Sequence, residues 1–329
     1  MKPFHFMRPA NIPAAMAALQ DSPNARLLGG GTNLVDLMRL GIEQPNRLVQ
    51  IHALPLAQIE SMPDGGVRIG AAISNTEMAN HPLIRERYPL LSKALLSGAS
   101  PQLRNMATAG GNLMQRTRCY YFMDTAFPAC NKRNPGSGCA ALEGVNRIHA
   151  IFGASNSCIA VHPSDMCVAL AALDAVIQVR GPKESRAIPI NDFHRLPGDT
   201  PHIETNLAPD EIITSIDLPR SRWARRVEYV KLRDRHSFAF ALVSCAAALD
   251  LDGKIVRAAR LAFGGVAHKP WRSFAAEQLL VGKPLNIDLI ERASDLVVEG
   301  AKPRPGNRFK LALMKNIAKR SLMSAGGMA

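Results

Sequence analysis

Short strand-like and helix-like blocks follow one another along this chain. Apolar residues alternate at 4–6 and fill 25–28 and 48–51, which predicts short strands. Asn11 can cap a helix, with Pro13 in its first turn and good helix formers at 14–19. The apolar run 25–28 meets Gly29-Gly30-Gly31-Thr32-Asn33, and Leu34, Leu37, Met38 and Ile42 then recur at helical spacing. The turn 62–66 sends 67–72 back as a strand, Ser74 with Glu77 starts a helix, and helical spacing runs on through Leu83, Leu90, Leu91, Leu95 and Leu96.

Further on, 157–161 reads as a strand, and Pro163-Ser164-Asp165 opens a helix over 166–172. A hairpin is expected at 175–180 and 186–190, then a strand at 211–218 ended by Pro219. Three strands follow at 227–232, 239–249 and 254–262, with helices at 274–280, 287–299 and 309–324. The polar run after Pro219 marks a boundary near 220–226. The pattern is that of an α+β protein, with no repeat and no low-complexity linker.

Composition changes this picture little. Of the 329 residues 47% are apolar, enough for a full core. The net charge of +13 points to an acidic partner or an anionic cofactor. No basic run is long enough for a nucleic-acid arm, and only 5% of residues are aromatic, so base stacking has little support. No apolar run of about 18 residues is present to span a membrane. Residues 1–9 have neither an apolar signal core nor a twin arginine, so no export signal is expected in the chain itself.

Candidate chemistry concentrates between Arg104 and Asp165. A second glycine segment, Thr108-Ala109-Gly110-Gly111-Asn112-Leu113, runs into Cys119, Cys130, Cys139 and Cys158. Glycine turns at a helix start point free N–H groups at an anion and let the backbone approach a phosphate. Either loop alone is equally a tight strand–helix turn; two together could hold both phosphates of a dinucleotide. The cysteines lack the paired spacing of zinc ribbons and the compact run of ferredoxins. Spacing alone leaves an iron–sulfur cluster, zinc and ordinary buried cysteines open. Arg116, Arg118, Lys132, Arg133 and Arg147 around them would favour thiolates. Cys167 and Cys245 fall in apolar patterns and read as core. Asp165 is either a helix cap or an acceptor for cofactor hydroxyls, and Lys231 either a solvated strand residue or a charge beside a flavin. The nine histidines form no metal or hydrolase motif.

Taken together, these motifs resemble the FAD-binding medium subunits of the molybdenum hydroxylases, the xanthine dehydrogenase and carbon monoxide dehydrogenase family. The resemblance covers nearly the whole chain. It includes Leu27 to Leu34, Arg104-Asn105 with Thr108 to Leu113, Pro163-Ser164-Asp165, Glu211-Ile212-Ile213 before Leu218-Pro219, and Lys231. The four-cysteine insert, about 115–160, is similar to that of the aldehyde oxidoreductase branch, as is the phrase Phe263 to Arg272. The beta subunit of 4-hydroxybenzoyl-CoA reductase has a similar insert and is the alternative.

The resemblance implies a two-part FAD-binding domain of the PCMH, vanillyl-alcohol-oxidase-like type over 1–222, with subdomains of about 1–55 and 56–222. A C-terminal domain over 223–329, with a three-stranded antiparallel sheet and helices, would follow. Leu27, Leu28, Gly29, Gly30, Gly31, Thr32, Asn33 and Leu34, with Thr108, Gly110, Gly111 and Asn112, would hold the FAD pyrophosphate. Asp165, Ile213 and Lys231 would contact other parts of the cofactor, and Cys119, Cys130, Cys139 and Cys158 would ligate a [4Fe-4S] cluster. Where the xanthine dehydrogenase branch shields the flavin with an aromatic residue, this chain has Gly98 or a neighbour.

The implied activity is electron transfer within a heterotrimer that oxidises aldehydes to carboxylic acids. The chemistry on the aldehyde would belong to a large partner subunit carrying a molybdenum-molybdopterin cytosine dinucleotide. A small subunit would carry [2Fe-2S] clusters, and an external acceptor would take the electrons. A twin-arginine leader on a partner would bring the complex to the periplasm; a cytoplasmic site is the alternative.

Overall fold

In a computed structural model describing residues 1–328, three sheets organise the chain. The first is parallel, in the order His5–Met7, Arg47–Gln50, Ala25–Leu28. The helix Ile12–Gln20 crosses between its strands, capped as expected by Asn11, whose side chain accepts from the Ala14 N–H at 2.9 Å. The second sheet is antiparallel, in the order Ile59–Ser61, Val67–Gly70, Ile212–Leu218, Val176–Arg180, Ser185–Pro189. Its core includes the helix Asp165–Ala172, which is buried along its whole length. Ser74 and Glu77 form a capping box at the helix Asn75–Asn80.

The C-terminal sheet is also antiparallel but has four strands rather than three: Trp271–Arg272, Ile255–Gly264, Val243–Asp252 and Val227–Leu232. Two residues are too few to show alternation, so the edge strand leaves no sequence signal. The long strand starts at Val243 rather than 239, because its neighbours pair only that far, Leu232 with Val243 and Gly264 with Ser244. The helices Phe274–Leu280, Ile287–Leu296 and Lys310–Gly326 close a separate apolar core against this sheet. The run 157–161 is irregular, not a strand. Among the described residues no helix is long and apolar enough to cross a membrane.

Register in these sheets brings the two glycine loops together. Ala25–Leu28 delivers Gly29 at the C-terminal end of the parallel sheet, where the Ile51 N–H donates to Leu28 O at 3.0 Å. The second loop hangs on the other sheet: the Ala109 N–H donates to Ile73 O at 2.9 Å and that of Gly110 to Ala71 O at 2.8 Å. The loops then touch. A Cβ on Gly30 would lie 1.6 Å from the Met106 carbonyl oxygen, so only glycine permits this approach.

Candidate cofactor cleft and cysteine layer

Between the loops opens a cleft of about 1210 Å³, above the roughly 300–1,000 Å³ of sites for drug-sized ligands. Every residue from Leu27 to Leu34 lines it, with Thr108, Gly110, Gly111 and Ile213. Thr108 caps the helix Ala109–Leu113 by accepting from the Gly111 N–H at 3.1 Å. A Cβ on Gly111 would meet only the Thr108 hydroxyl, at 2.9 Å. Asn33 accepts from the Arg116 N–H at 3.0 Å, and its buried side-chain Nδ2 has no partner among the described residues. An orphaned donor, glycine backbone and a cleft of this size fit a diphosphate-bearing cofactor.

Asn112, Asp165 and Lys231 do not line the cleft; they stand behind it. The Ser164 hydroxyl caps the helix Asp165–Ala172 and donates to Asn112 Oδ1 at 2.7 Å, tying that helix to the second loop. Ser164, not Asp165, is therefore the cap. Asp165 accepts from Lys231 Nζ and from the Tyr229 hydroxyl, each at 2.7 Å. Only 4% of the Lys231 side chain and 8% of that of Asp165 are exposed, so this is a buried pair and not a solvated face. A Cβ on Gly98 would come 3.2 Å from Asp165 Oδ2, so a side chain there would crowd this buried carboxylate.

The four distant cysteines come together on the other side of Arg116. Cys119, Cys130 and Cys158 are buried in one small core, with Cys139 packed against it. An isolated bridge pairs Cys130 with Cys139: the Asn131 N–H donates to Gly138 O at 2.8 Å and that of Ala140 to Ala129 O at 2.9 Å. The Ala160 N–H points at Cys158 Sγ at 3.5 Å. All six cysteines are free thiols. Burial pushes Cys119 up to about 11, whereas the hydrogen bond from Cys158 draws Cys139 down to about 6, favouring one thiolate in that pair. Cys167 and Cys245 are fully buried core residues.

Among the described residues no three of these sulfurs lie within 4.8 Å of one another. Among the described residues, the only three potential ligand atoms within 4.8 Å of one another belong to His162, Cys167 and His194. A tetrahedral zinc with bonds of about 2.3 Å would draw its sulfurs to roughly 3.8 Å apart. Burial holds His162, His194 and Cys167 uncharged, with His194 lowered to about 4 and Cys167 raised to about 12; the two histidine rings, tilted by 44° with centroids 4.1 Å apart, form one wall of the cleft.

Sequence reasoning singled out Arg116 and Lys132 but missed Glu204, the carboxylate that joins them between cleft and cysteines. Glu204 accepts from Lys132 Nζ at 2.7 Å and from Arg116 Nε at 3.3 Å, linking residues far apart in the chain. Burial pushes the Glu204 carboxyl up, but the charges of Lys132 and Arg116 outweigh it and hold its pKa at about 2. A folded-state pKa below the unfolded value of about 4.3 contributes stability that is complete above that value and lost as pH falls toward 2. We expect wild type to lose about 1–2 kcal/mol more than Glu204→Gln between pH 4.5 and 2.5, allowing for the solvent that still reaches the carboxylate. Denaturant unfolding at stepped pH measures this, and parallel slopes for the two proteins would contradict it.

Comparison with known proteins agrees with the geometry. Residues 2–221 match the family described as FAD binding domain in molybdopterin dehydrogenase, and 228–325 the CO dehydrogenase flavoprotein C-terminal domain. The chain is 50% identical over 327 residues to the aldehyde oxidoreductase FAD-binding subunit PaoB of Escherichia coli (strain K12), covering 98% of this chain and 97% of that one. It is 28% identical to the putative xanthine dehydrogenase FAD-binding subunit XdhB of the same organism, over 97% and 95% of the two chains. The structure of carbon monoxide dehydrogenase from Hydrogenophaga pseudoflava superposes with a TM-score of 0.78 at 24% identity, covering 100% of this chain and 99% of that one.

Proposed function

The chain belongs to the family of FAD-binding domains of molybdopterin dehydrogenases, and from this we propose that it is the FAD- and [4Fe-4S]-carrying subunit of an aldehyde-oxidising molybdenum enzyme. It has the two-domain FAD-binding fold of a carbon monoxide dehydrogenase medium chain and is a subunit of an oxidoreductase complex of the molybdenum hydroxylase family. The aldehyde substrate, the cluster and the partners named below are our reading.

The single observation that carries the cluster is the convergence of Cys119, Cys130, Cys139 and Cys158 beside the cleft, at a spread wider than one zinc ion gathers. The aldehyde is supported by 50% identity to a named aldehyde oxidoreductase subunit. Residues 27–34 with Thr108, Gly110 and Gly111 would hold the FAD pyrophosphate, and Asn112, tied to Ser164, would brace the second loop from behind. Ile213 lines the same cleft, and Lys231, fixed by Asp165 and Tyr229, supplies positive charge behind it. Bound FAD supplies a centre that accepts two electrons and returns them singly or together. The chain's residues orient that centre, keep water from the buried ion pair and set the local charge.

The partners in this reading are a large subunit with a molybdenum-molybdopterin cytosine dinucleotide and a small [2Fe-2S] subunit, forming a heterotrimer. There an aldehyde and water become a carboxylic acid, releasing two protons and the two electrons that leave through this subunit to an external acceptor. Export with a twin-arginine-bearing partner would place the complex in the periplasm. The purified complex, assayed with an artificial acceptor, is expected to oxidise benzaldehyde and to leave 4-hydroxybenzoyl-CoA unchanged in the reductive direction. Turnover of the thioester without aldehyde oxidation would overturn the assignment.

A further inference from the structure

A fully buried lysine lies beside the cysteine layer without an acidic partner. Lys310 Nζ reaches the carbonyl oxygens of Ile148 and His149, each at 2.9 Å, and of Gly265 at 2.6 Å. Three acceptors need three N–H groups, which only the ammonium form has. No carboxylate lies within salt-bridge distance of it among the described residues. Burial, and then the charge of Arg147, lower its pKa to about 7, so a negative group nearby would be needed to hold it fully charged at neutral pH. An ammonium in such a place is costly unless something negative compensates it.

The segment that Lys310 grips leads to a sulfur. His149 is buried, and its Nε2 lies 3.1 Å from Cys119 Sγ; its Nδ1 has no hydrogen-bond partner among the described residues. Asn307 Nδ2 donates to the carbonyls of His149 and Ala150, each at 3.2 Å, and the Ala150 N–H donates to Ile159 O, next to Cys158, at 2.8 Å. The His149 ring is thus fixed over Cys119, and a cation is fixed behind its backbone.

We propose that His149 and Lys310 are positioning residues that raise the reduction potential of the cluster held by Cys119, Cys130, Cys139 and Cys158, the ring by an N–H donated to Cys119 Sγ and the ammonium by its buried charge. This rests on the cluster reading above and deepens it. A cluster bound by four thiolates is negative, and taking up one electron makes it more so. A hydrogen bond to a ligating sulfur and a fixed cation in a low-dielectric setting both stabilise the more negative state.

The test is a potentiometric titration of the intact complex, followed by low-temperature electron paramagnetic resonance, with iron and sulfide measured on each sample. His149→Phe and Lys310→Met are expected to keep their iron and to shift the ratio of reduced to oxidised cluster at least tenfold toward oxidised at a fixed potential. For a one-electron couple this is about 59 mV. His149→Gln, which keeps a donor, and Lys310→Arg, which keeps a charge, are expected to recover most of the shift. Full iron with an unmoved potential in both His149→Phe and Lys310→Met overturns the proposal alone. Loss of iron from both His149 variants makes the ring a ligand and overturns it too. Wild type without iron in this layer overturns the cluster reading, and this proposal with it. The two His149 variants decide the matter if Lys310→Met does not fold.

Discussion

Cys139→Ser is expected to cost the complex about four iron atoms while leaving its FAD in place. Cys139 is the most exposed of the four sulfurs and lies at the end of the loop that Cys130 opens. Between them Ser137 Oγ accepts from the Cys130 N–H at 3.0 Å, and the Asn131 side chain accepts from the Gly138 N–H at 2.9 Å. These contacts shape the turn, but few apolar contacts hold it, so a metal core would be its main anchor. A serine oxygen binds iron less well than a thiolate, and binding energy lost from such a site is folding energy lost from the loop. Proteolysis of this loop should therefore quicken as well. The flavin should stay, because residues 27–34 and 108–112 hang on the two N-terminal sheets and not on this loop. Iron and FAD per complex measure both halves; unchanged iron would refute the ligand assignment.

Gly111→Val is expected to release the flavin from a chain that still folds. The added Cβ meets only Thr108 Oγ1, at 2.9 Å, and because Gly111 lines the cleft the side chain would compete for the space a pyrophosphate needs there. We expect FAD affinity to fall at least ~100-fold, about 2.8 kcal/mol, with the flavin-free protein destabilised by about 0.5–2 kcal/mol as the Thr108 cap gives way. Gly30→Ala is the contrasting case. Its Cβ would run into the Met106 backbone, so it should destabilise the fold by about 1–3 kcal/mol or more and lose flavin through that route. Flavin stoichiometry and thermal melting on the two variants separate the effects. Full FAD in Gly111→Val would sink the assignment of the second loop.

Local signals in the chain were readable where the physics is local. The Asn11 cap, the Ser74–Glu77 box, the hairpin of Val176–Arg180 and Ser185–Pro189, and the glycine loops all follow from neighbours within a few positions. The run 157–161 misleads because apolar content alone does not make a strand. Its carbonyls accept scattered bonds, Cys158 O from the Ser155 N–H and Ile159 O from the Ala150 N–H, and no strand pairs along it as a ladder. What the site depends on most was not local. Lys231 looks like a surface strand residue until the fold brings Asp165 to it, and Lys310 looks like the first turn of a solvated helix until it meets three carbonyls of distant segments. Glu204 carries no motif, yet it ties Lys132 of the cysteine loop to Arg116 of the cleft. His149 carries none either, and its place over Cys119 is made by the fold alone.

One experiment meets the central claim head-on: diffraction from crystals of the complex, recorded on both sides of the iron absorption edge. The account predicts a compact iron signal within bonding distance of all four sulfurs of Cys119, Cys130, Cys139 and Cys158, and a flavin dinucleotide with its phosphates between Gly30 and Gly111. A zinc signal there, or no metal signal among those sulfurs with the cleft filled by protein side chains, would contradict it.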